Sequence, residues 1–241
     1  MSFPAALFSL PLKLTAKNML KIHHDRMEKF RRAGLYLVTS QALSRGRSTA
    51  EIVRAALAGG VRLIQLREKE MPIPEFVRLA EEIRAMTRKA DALLIINDRL
   101  DVALAVQADG VHLGQDDLPI ACARKISKNL IIGASTHSLA EALSAQEAGA
   151  SYVNIGPLFP TNTKNWNGKF LGVKEMKKIA AAIKIPFTVM GGIKADHIPE
   201  LVKAGAKTIA VVTAITAAPN PKTAAASLLC LVRGKKPLRR F

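Results

Sequence analysis

The chain predicts an α/β fold, a closed (β/α)8 TIM barrel in a single domain, and three observations carry that reading. First, at 241 residues it has 49% hydrophobic but only 5% aromatic residues. Ala, Val, Ile and Leu dominate, as suits parallel strands buried on both faces and wrapped by Ala-rich helices. Second, a small-residue turn leading from helix into strand recurs as ALAGGVRLIQL, AVQADGVHLG, EAGASYVNIG and KAGAKTIAVV; aligned at Gly60, Ala108, Ala150 and Ala206 the copies lie 48, 42 and 56 residues apart. That is about two βα units, so the repeat marks alternate strands. Third, polar residues follow almost every strand, which favours a closed barrel with one active rim over an open doubly wound sheet.

Residues 1–33 form a basic leader, seven cations against two acids, expected to be disordered or weakly amphipathic. MSFPAALFSLPLKL has no cation ahead of its apolar run and no small-residue cleavage site, a poor match to a secretory signal. Met27 stands directly before EKFRRAGLYLVT, which suggests translation starting there. The barrel is expected over residues 34–230. Its first strand reads as residues 35–39, followed by the amphipathic TAEIVRAALAGG; the second lies in VRLIQL, followed by IPEFVRLAEEIRAMTRKA. The third strand is residues 93–96 and the fourth residues 110–113; the fifth is 130–133, followed by SLAEALSAQEAGA. The sixth lies in SYVNI, the seventh is 187–190, and the eighth lies in TIAVV. A glycine ending each repeated helix supplies the left-handed turn back into the strand. Residues 231–241 are a basic tail.

The formal net charge of +17 sits mostly at the ends. The leader carries a net +5, residues 222–241 carry six cations and no acid, and the body keeps +6. A body of that sign suits anionic substrates, and RGKKPLRRF reads as a solvated end rather than a nucleic-acid arm. Cys122 and Cys230 lie in no CxxC or His-rich setting, so neither a disulfide framework nor a zinc site is expected and a reducing, cytoplasmic compartment fits. No stretch approaches the roughly 20 apolar residues of a membrane span. Assembly into a homo-oligomer stays open.

Chemistry gathers at the strand ends. After the second strand come Gln65, Leu66, Arg67, Glu68 and Lys69, where period-two alternation sends Gln65, Arg67 and Lys69 to one side. An Arg that forks onto two oxygens beside a Lys point charge suits pyrophosphate, although surface charge reads the same way. Asn97 and Asp98 follow the third strand, and Gln115, Asp116 and Asp117 the fourth. Asp98 and Asp117 from neighbouring strand ends are a candidate Mg²⁺ clamp, since Mg²⁺ takes one or two carboxylates with water and phosphate oxygens. Helix N-capping is the competing reading, and spacing leaves Asp116 a rival to Asp117. Ser135 emerges from GAS within reach of a ligand oxygen, while Ser138 and Glu141 form a capping-box pattern. His112 and His137 are acid–base candidates or packing residues. The loop GPLFPTNTKNWNGKFLG offers Thr161, Thr163 and Lys164, could be a lid, and carries Trp166 as a ring cover or an anchor. Gly192, free of a Cβ that would obstruct a phosphate, and Thr213, at the start of a helix, suggest a second anion site after the seventh and eighth strands.

With these residues in place, GLYLVT, QLREK, INDRLDVALAVQADGVHLGQDD, IIGASTHSLAEA, GPLFPTNTK, GGI and VVTAI closely resemble the thiamine phosphate synthase family, in order over roughly residues 34–216. The resemblance implies transfer of a hydroxymethylpyrimidine group from its diphosphate to the nitrogen of a thiazole phosphate, by a Mg²⁺-assisted dissociative substitution. It implies that Gln65, Leu66, Arg67, Glu68, Lys69, Asn97, Ser135 and Lys164 hold the pyrimidine diphosphate, with Arg67, Lys69, Lys164 and Ser135 acting in catalysis. It further implies Asp98 and Asp117 as metal ligands, and Thr161, Asn162, Thr163, Gly192, Val212 and Thr213 as the thiazole phosphate site. Thr213 stands where serine is frequent, Met190 precedes the paired glycines where a smaller residue is common, and NWNGKF is an unusual lid sequence. A thiazole tautomerase on the same scaffold generally lacks the acidic pair, and a noncatalytic binder of thiamine phosphates would release no pyrophosphate.

Overall fold

Leucine, isoleucine and valine runs supply eight short strands: β1 (Leu35–Val38), β2 (Leu63–Leu66), β3 (Leu93–Asn97), β4 (Gly110–Leu113), β5 (Ile131–Thr136), β6 (Tyr152–Ile155), β7 (Phe187–Val189) and β8 (Ile209–Val211). They pair in parallel in sequence order, and β1 closes on β8 through Leu35↔Ile209 and Leu37↔Val211. The structure, a computed structural model, describes residues 15–161 and 167–235. The helices are α1 (Ala16–Arg32), α2 (Thr49–Ala58), α3 (Ile73–Lys89), α4 (Leu100–Ala105), α5 (Ile120–Ile126), α6 (Leu139–Glu147), α7 (Gly172–Ala182), α8 (Ile198–Lys203), α9 (Thr213–Thr216) and α10 (Pro221–Val232). The expected TIM barrel is the observed fold.

Strand alternation divides the core in two. Leu35 and Leu37 face the helix ring, in a layer with Ile64, Leu94, Ile96 and Val111. Tyr36 and Val38 face inward, in a second layer with Leu63, Leu93, Ile95, Ile131 and Tyr152. Both faces of each strand are therefore dry, which explains why the strands read as continuous apolar runs.

The recurring turn is real, with two amendments. At the ends of α2, α3, α4, α6 and α8 the chain bonds back five residues: Val61 N to Ala56 O at 3.1 Å, Ala92 N to Thr87 O at 2.8 Å, Ala108 N to Ala103 O at 2.8 Å, Ala150 N to Ala145 O at 3.0 Å and Ala206 N to Leu201 O at 3.0 Å. The equivalent of Ala108, Ala150 and Ala206 is thus Val61, one residue beyond the expected Gly60. The left-handed residue ahead of each is Gly60, Asp91, Gln107, Gly149 or Gly205, so glycine is not the rule. In AVQADG the turn falls on Gln107, while Gly110 belongs to β4, where a Cβ would come within 2.4 Å of Ile131 O.

The leader departs from expectation over residues 16–32. α1 is a helix capped by Thr15, whose hydroxyl accepts from Asn18 N at 3.3 Å, and its Met27 and Phe30 are buried in the inner barrel layer. Phe30 packs on the Tyr152 ring with centroids 4.5 Å apart. Arg26 donates to Asn129 O and Ala108 O and pairs with Asp109 at 3.2 Å; Arg84 forks onto the same carboxylate at 2.6 and 3.2 Å. α1 therefore stoppers the amino-terminal end of the barrel, and a start at Met27 would remove Arg26 and the helix ahead of it. At the other terminus α10 runs to Val232, which is buried, two residues past the expected boundary at 230.

Candidate active site

A cavity of about 760 Å³ opens at the carboxyl ends of the strands. Tyr36, one of the chain's two tyrosines, lines its floor, and the other, Tyr152, is buried beneath it. Tyr36 on β1 and Tyr152 on β6 meet edge to face, centroids 6.3 Å apart, with their hydroxyls at 2.9 Å. Gln65 Nε2 donates to the Tyr36 hydroxyl at 2.7 Å. On the other side His112 Nδ1 lies 2.8 Å from the Tyr152 hydroxyl and His112 Nε2 lies 2.9 Å from Ser135 Oγ. Gly133 makes room for this arrangement, since a Cβ there would stand 2.2 Å from the Tyr152 ring. Burial raises the pKa of both phenols and lowers that of His112 to about 4, the Asp117 charge only partly opposing the latter. The floor is therefore uncharged at neutral pH.

One wall is acidic. Asp98 follows β3 in a left-handed conformation (φ 62°), its backbone N donating to His112 O at 2.8 Å. Asp117 follows β4, and its Oδ2 accepts from Gly114 N at 2.6 Å. Burial, and then the facing Asp117 carboxyl, raise the Asp98 pKa, while Lys69, with Nζ at 3.2 Å, works against them. Asp116 also lines the cavity, but Asp117 is the one that meets Asp98. Neither acid caps a helix: the N-cap of α4 is Arg99 and that of α5 is Pro119, both without a side-chain bond. Among the described residues no group of three or more His, Cys, Asp or Glu gathers to hold a metal. Two facing carboxylates with open space beside them still match Mg²⁺, which draws its other ligands from water and substrate oxygens.

Beside the acids, Gln65, Arg67 and Lys69 line the cavity as alternation requires, and the Arg67 backbone N donates to Thr39 Oγ1 at 2.9 Å. Leu66 and Glu68 do not join them. Leu66 is buried in the outer core layer, and Glu68 turns back to accept from Gln41 N at 2.8 Å and Thr49 Oγ1 at 2.6 Å. The pleat points every second side chain of the QLREK run the other way. Asn97 and Ser135 line the cavity, and Gln115 Nε2 donates to Ser135 O at 2.6 Å. His137 lies at the rim with Nδ1 3.0 Å from Glu141 Oε2. Ser138 caps α6 by accepting from Glu141 N, but Glu141 bonds His137 rather than the Ser138 backbone, so the capping box is one-sided.

Across the mouth stand Thr161, Gly192, Val212 and Thr213, the last at the start of α9. Gly192 has φ 62°, and a Cβ there would lie 2.2 Å from Pro160 O, so the neighbouring loop, beyond any ligand, requires the glycine. Asn162, Thr163, Lys164 and Trp166 lie outside the described residues. Sequence reasoning missed Tyr36, Tyr152 and Asn154, all inward-facing; Asn154 Oδ1 accepts from Thr188 Oγ1 at 2.8 Å. The signal was there, in the inward parity of β1 and β6.

Comparison with known proteins agrees with this geometry. The profile of the family described as Thiamine monophosphate synthase matches residues 35–215. A thiamine-phosphate synthase of Chloroflexus aurantiacus is 44% identical over 198 residues, covering 82% of this chain and 92% of its own length. That of Moorella thermoacetica is 45% identical over 205 residues, covering 83% and 98%. The solved thiamine phosphate pyrophosphorylase from Pyrococcus furiosus superposes with a TM-score of 0.79 at 41% identity, over 85% of this chain and 98% of that one. A 3-hexulose-6-phosphate synthase, at 20% identity and TM-score 0.59, shares the fold alone. With its acidic pair, cationic strand end and paired glycines at one barrel mouth, this chain belongs to the thiamine monophosphate synthase family.

Proposed function

We propose that the protein is a thiamine phosphate synthase, a transferase that joins hydroxymethylpyrimidine diphosphate to thiazole phosphate and releases pyrophosphate. The observation that carries the reading is Asp98 facing Asp117 with Lys69 at 3.2 Å and Arg67 beside them, all at the mouth of one cavity. Asp98 and Asp117 would hold Mg²⁺, which when bound supplies positive charge to the diphosphate. Arg67 and Lys69, joined by Lys164, bind the diphosphate oxygens and stabilise the charge that grows as the carbon–oxygen bond breaks. Gln65 and Asn97 orient the pyrimidine, and Ser135 donates its hydroxyl to a ligand oxygen. Thr161, Gly192, Val212 and Thr213, with Asn162 and Thr163, seat the thiazole phosphate so that its ring nitrogen lies opposite the departing group. The nitrogen lone pair then forms the new bond to the pyrimidine methylene carbocation, with no side-chain nucleophile.

A thiazole tautomerase has no need of two facing carboxylates beside a cation cluster, and a noncatalytic binder would not gather them at a cavity. Cys122 and Cys230 are free thiols, in keeping with a cytoplasmic enzyme, and no helix among the described residues is long and apolar enough to cross a membrane. Purified protein given both substrates and Mg²⁺ is expected to release pyrophosphate and form a product that oxidises to fluorescent thiochrome. Well-folded protein that releases none, or that isomerises thiazole phosphate alone, would sink the proposal.

A further inference from the structure

Four polar side chains of the cavity lining and the buried Tyr152 beneath them form one chain, Gln65–Tyr36–Tyr152–His112–Ser135, that crosses the barrel from β2 to β5. Its internal members are dry: Tyr36 is 1%, Tyr152 0% and His112 5% exposed. Each phenol has a single hydrogen, and a neutral imidazole has one donor and one acceptor nitrogen. A phenol whose hydrogen stays within the chain passes the direction of one link to the next. If the Gln65 amide nitrogen donates to Tyr36 and each phenol spends its hydrogen within the chain, the Tyr36 hydroxyl donates to Tyr152 and the Tyr152 hydroxyl to His112 Nδ1, which leaves the ring proton on Nε2, facing Ser135 Oγ. Ser135 thereby accepts from within the floor and keeps its own hydrogen for the cavity. Run in reverse, the chain would draw that hydrogen back onto His112 and turn bare lone pairs toward an arriving anion.

We propose that Tyr36, Tyr152 and His112 are positioning residues of a directed hydrogen-bond relay, which carries the orientation of the Gln65 amide across the barrel and holds the Ser135 hydroxyl as a donor into the cavity. The two ends of the substrate site are coupled through protein rather than through ligand: Gln65 keeps its carbonyl oxygen for a donor such as an amino group, and Ser135 its hydrogen for an oxyanion. The effect on rate rests on the synthase reading; the direction of the chain does not, and it is measured separately.

Nitrogen NMR of the histidine-labelled full chain, with the His112 signals identified by their loss in His112→Gln, is expected to show the proton on Nε2. A proton on Nδ1 overturns the proposal. Gln65→Glu, read at alkaline pH where the new carboxylate only accepts, is expected to reverse every link and move the proton to Nδ1. Adding Tyr36→Phe, which leaves the Tyr152 hydroxyl no acceptor except His112, is expected to return it to Nε2; a tautomer indifferent to either change overturns the relay. In turnover, Tyr152→Phe is expected to lower kcat about ten-fold with little change in KM. In a Ser135→Ala background the same change is expected to cost almost nothing more, because the hydroxyl it orients is gone. Equal losses in the two backgrounds would make the floor merely structural and defeat the positioning role, whereas a wild-type enzyme with no turnover would defeat the synthase reading and leave the NMR result standing.

Discussion

The two ends of the barrel treat a carboxylate in opposite ways. At the amino-terminal end Asp109 is gripped by Arg84 at 2.6 Å and Arg26 at 3.2 Å and accepts from Leu94 N at 2.9 Å. At the carboxyl-terminal end Asp98 faces a second carboxyl, holds a left-handed backbone, and has a half-exposed lysine for relief. Below, the protein supplies its own partners and the polar groups lock α1 and α3 to the strands. Above, two acids are held against each other with the cavity open beside them, an arrangement that a bound cation would improve and folding alone does not. Stability and function have been assigned to different ends.

The sharpest way to break this contrast is at Asp98. Asp98→Ala is expected to lower kcat on the order of a thousand-fold while leaving thermal stability unchanged or slightly raised, because removing one of two facing acids relieves repulsion. A variant turning over near the normal rate at ordinary Mg²⁺ would end the metal assignment. Asp109→Ala should do the converse. Stripped of its partner, a buried arginine pair costs about 4 kcal/mol, read by urea unfolding, with kcat of the folded enzyme unaltered; a loss of rate without loss of stability would erase the distinction between the ends.

The uncharged floor gives a pH test. His112 titrates near 4 when folded, against its ordinary 6.5, so between those values the unfolded chain binds more protons. Its contribution is complete above about pH 6.5 and drains away toward pH 4, by at most about 3 kcal/mol. His112→Gln should reduce the slope across that window, leaving the part that His23, its pKa also lowered by burial, contributes, and a slope unchanged in the variant would assign the acid sensitivity elsewhere. The smallest effect is expected at Thr213, where Thr213→Ala should weaken thiazole phosphate binding about ten-fold through one lost hydrogen bond. An unaltered dissociation constant would remove Thr213 from the second anion site.

Much of this was legible in the residues. Strands buried on both faces announce themselves as apolar runs, and acids placed just beyond two such runs had to emerge at the same rim. What escaped notice depended on facing and register. Leu66 and Glu68 sit between ligand-facing neighbours but turn away from them, and Tyr36 and Tyr152 stand 116 residues apart until the barrel closes. α1 escaped because its cations dominate its composition, while Met27 and Phe30, three residues apart, are the only side chains of that helix fully buried in the core. Gln107 escaped because a left-handed glutamine has no local signature.

The stopper formed by Phe30 and Met27 has a kinetic corollary. With one end sealed, the cavity is a cul-de-sac, and both reactants and both products must share a single doorway. The substrate that seats deeper should arrive first, and initial-rate patterns are expected to obey a compulsory sequence; random-order patterns would show that neither seat blocks the other.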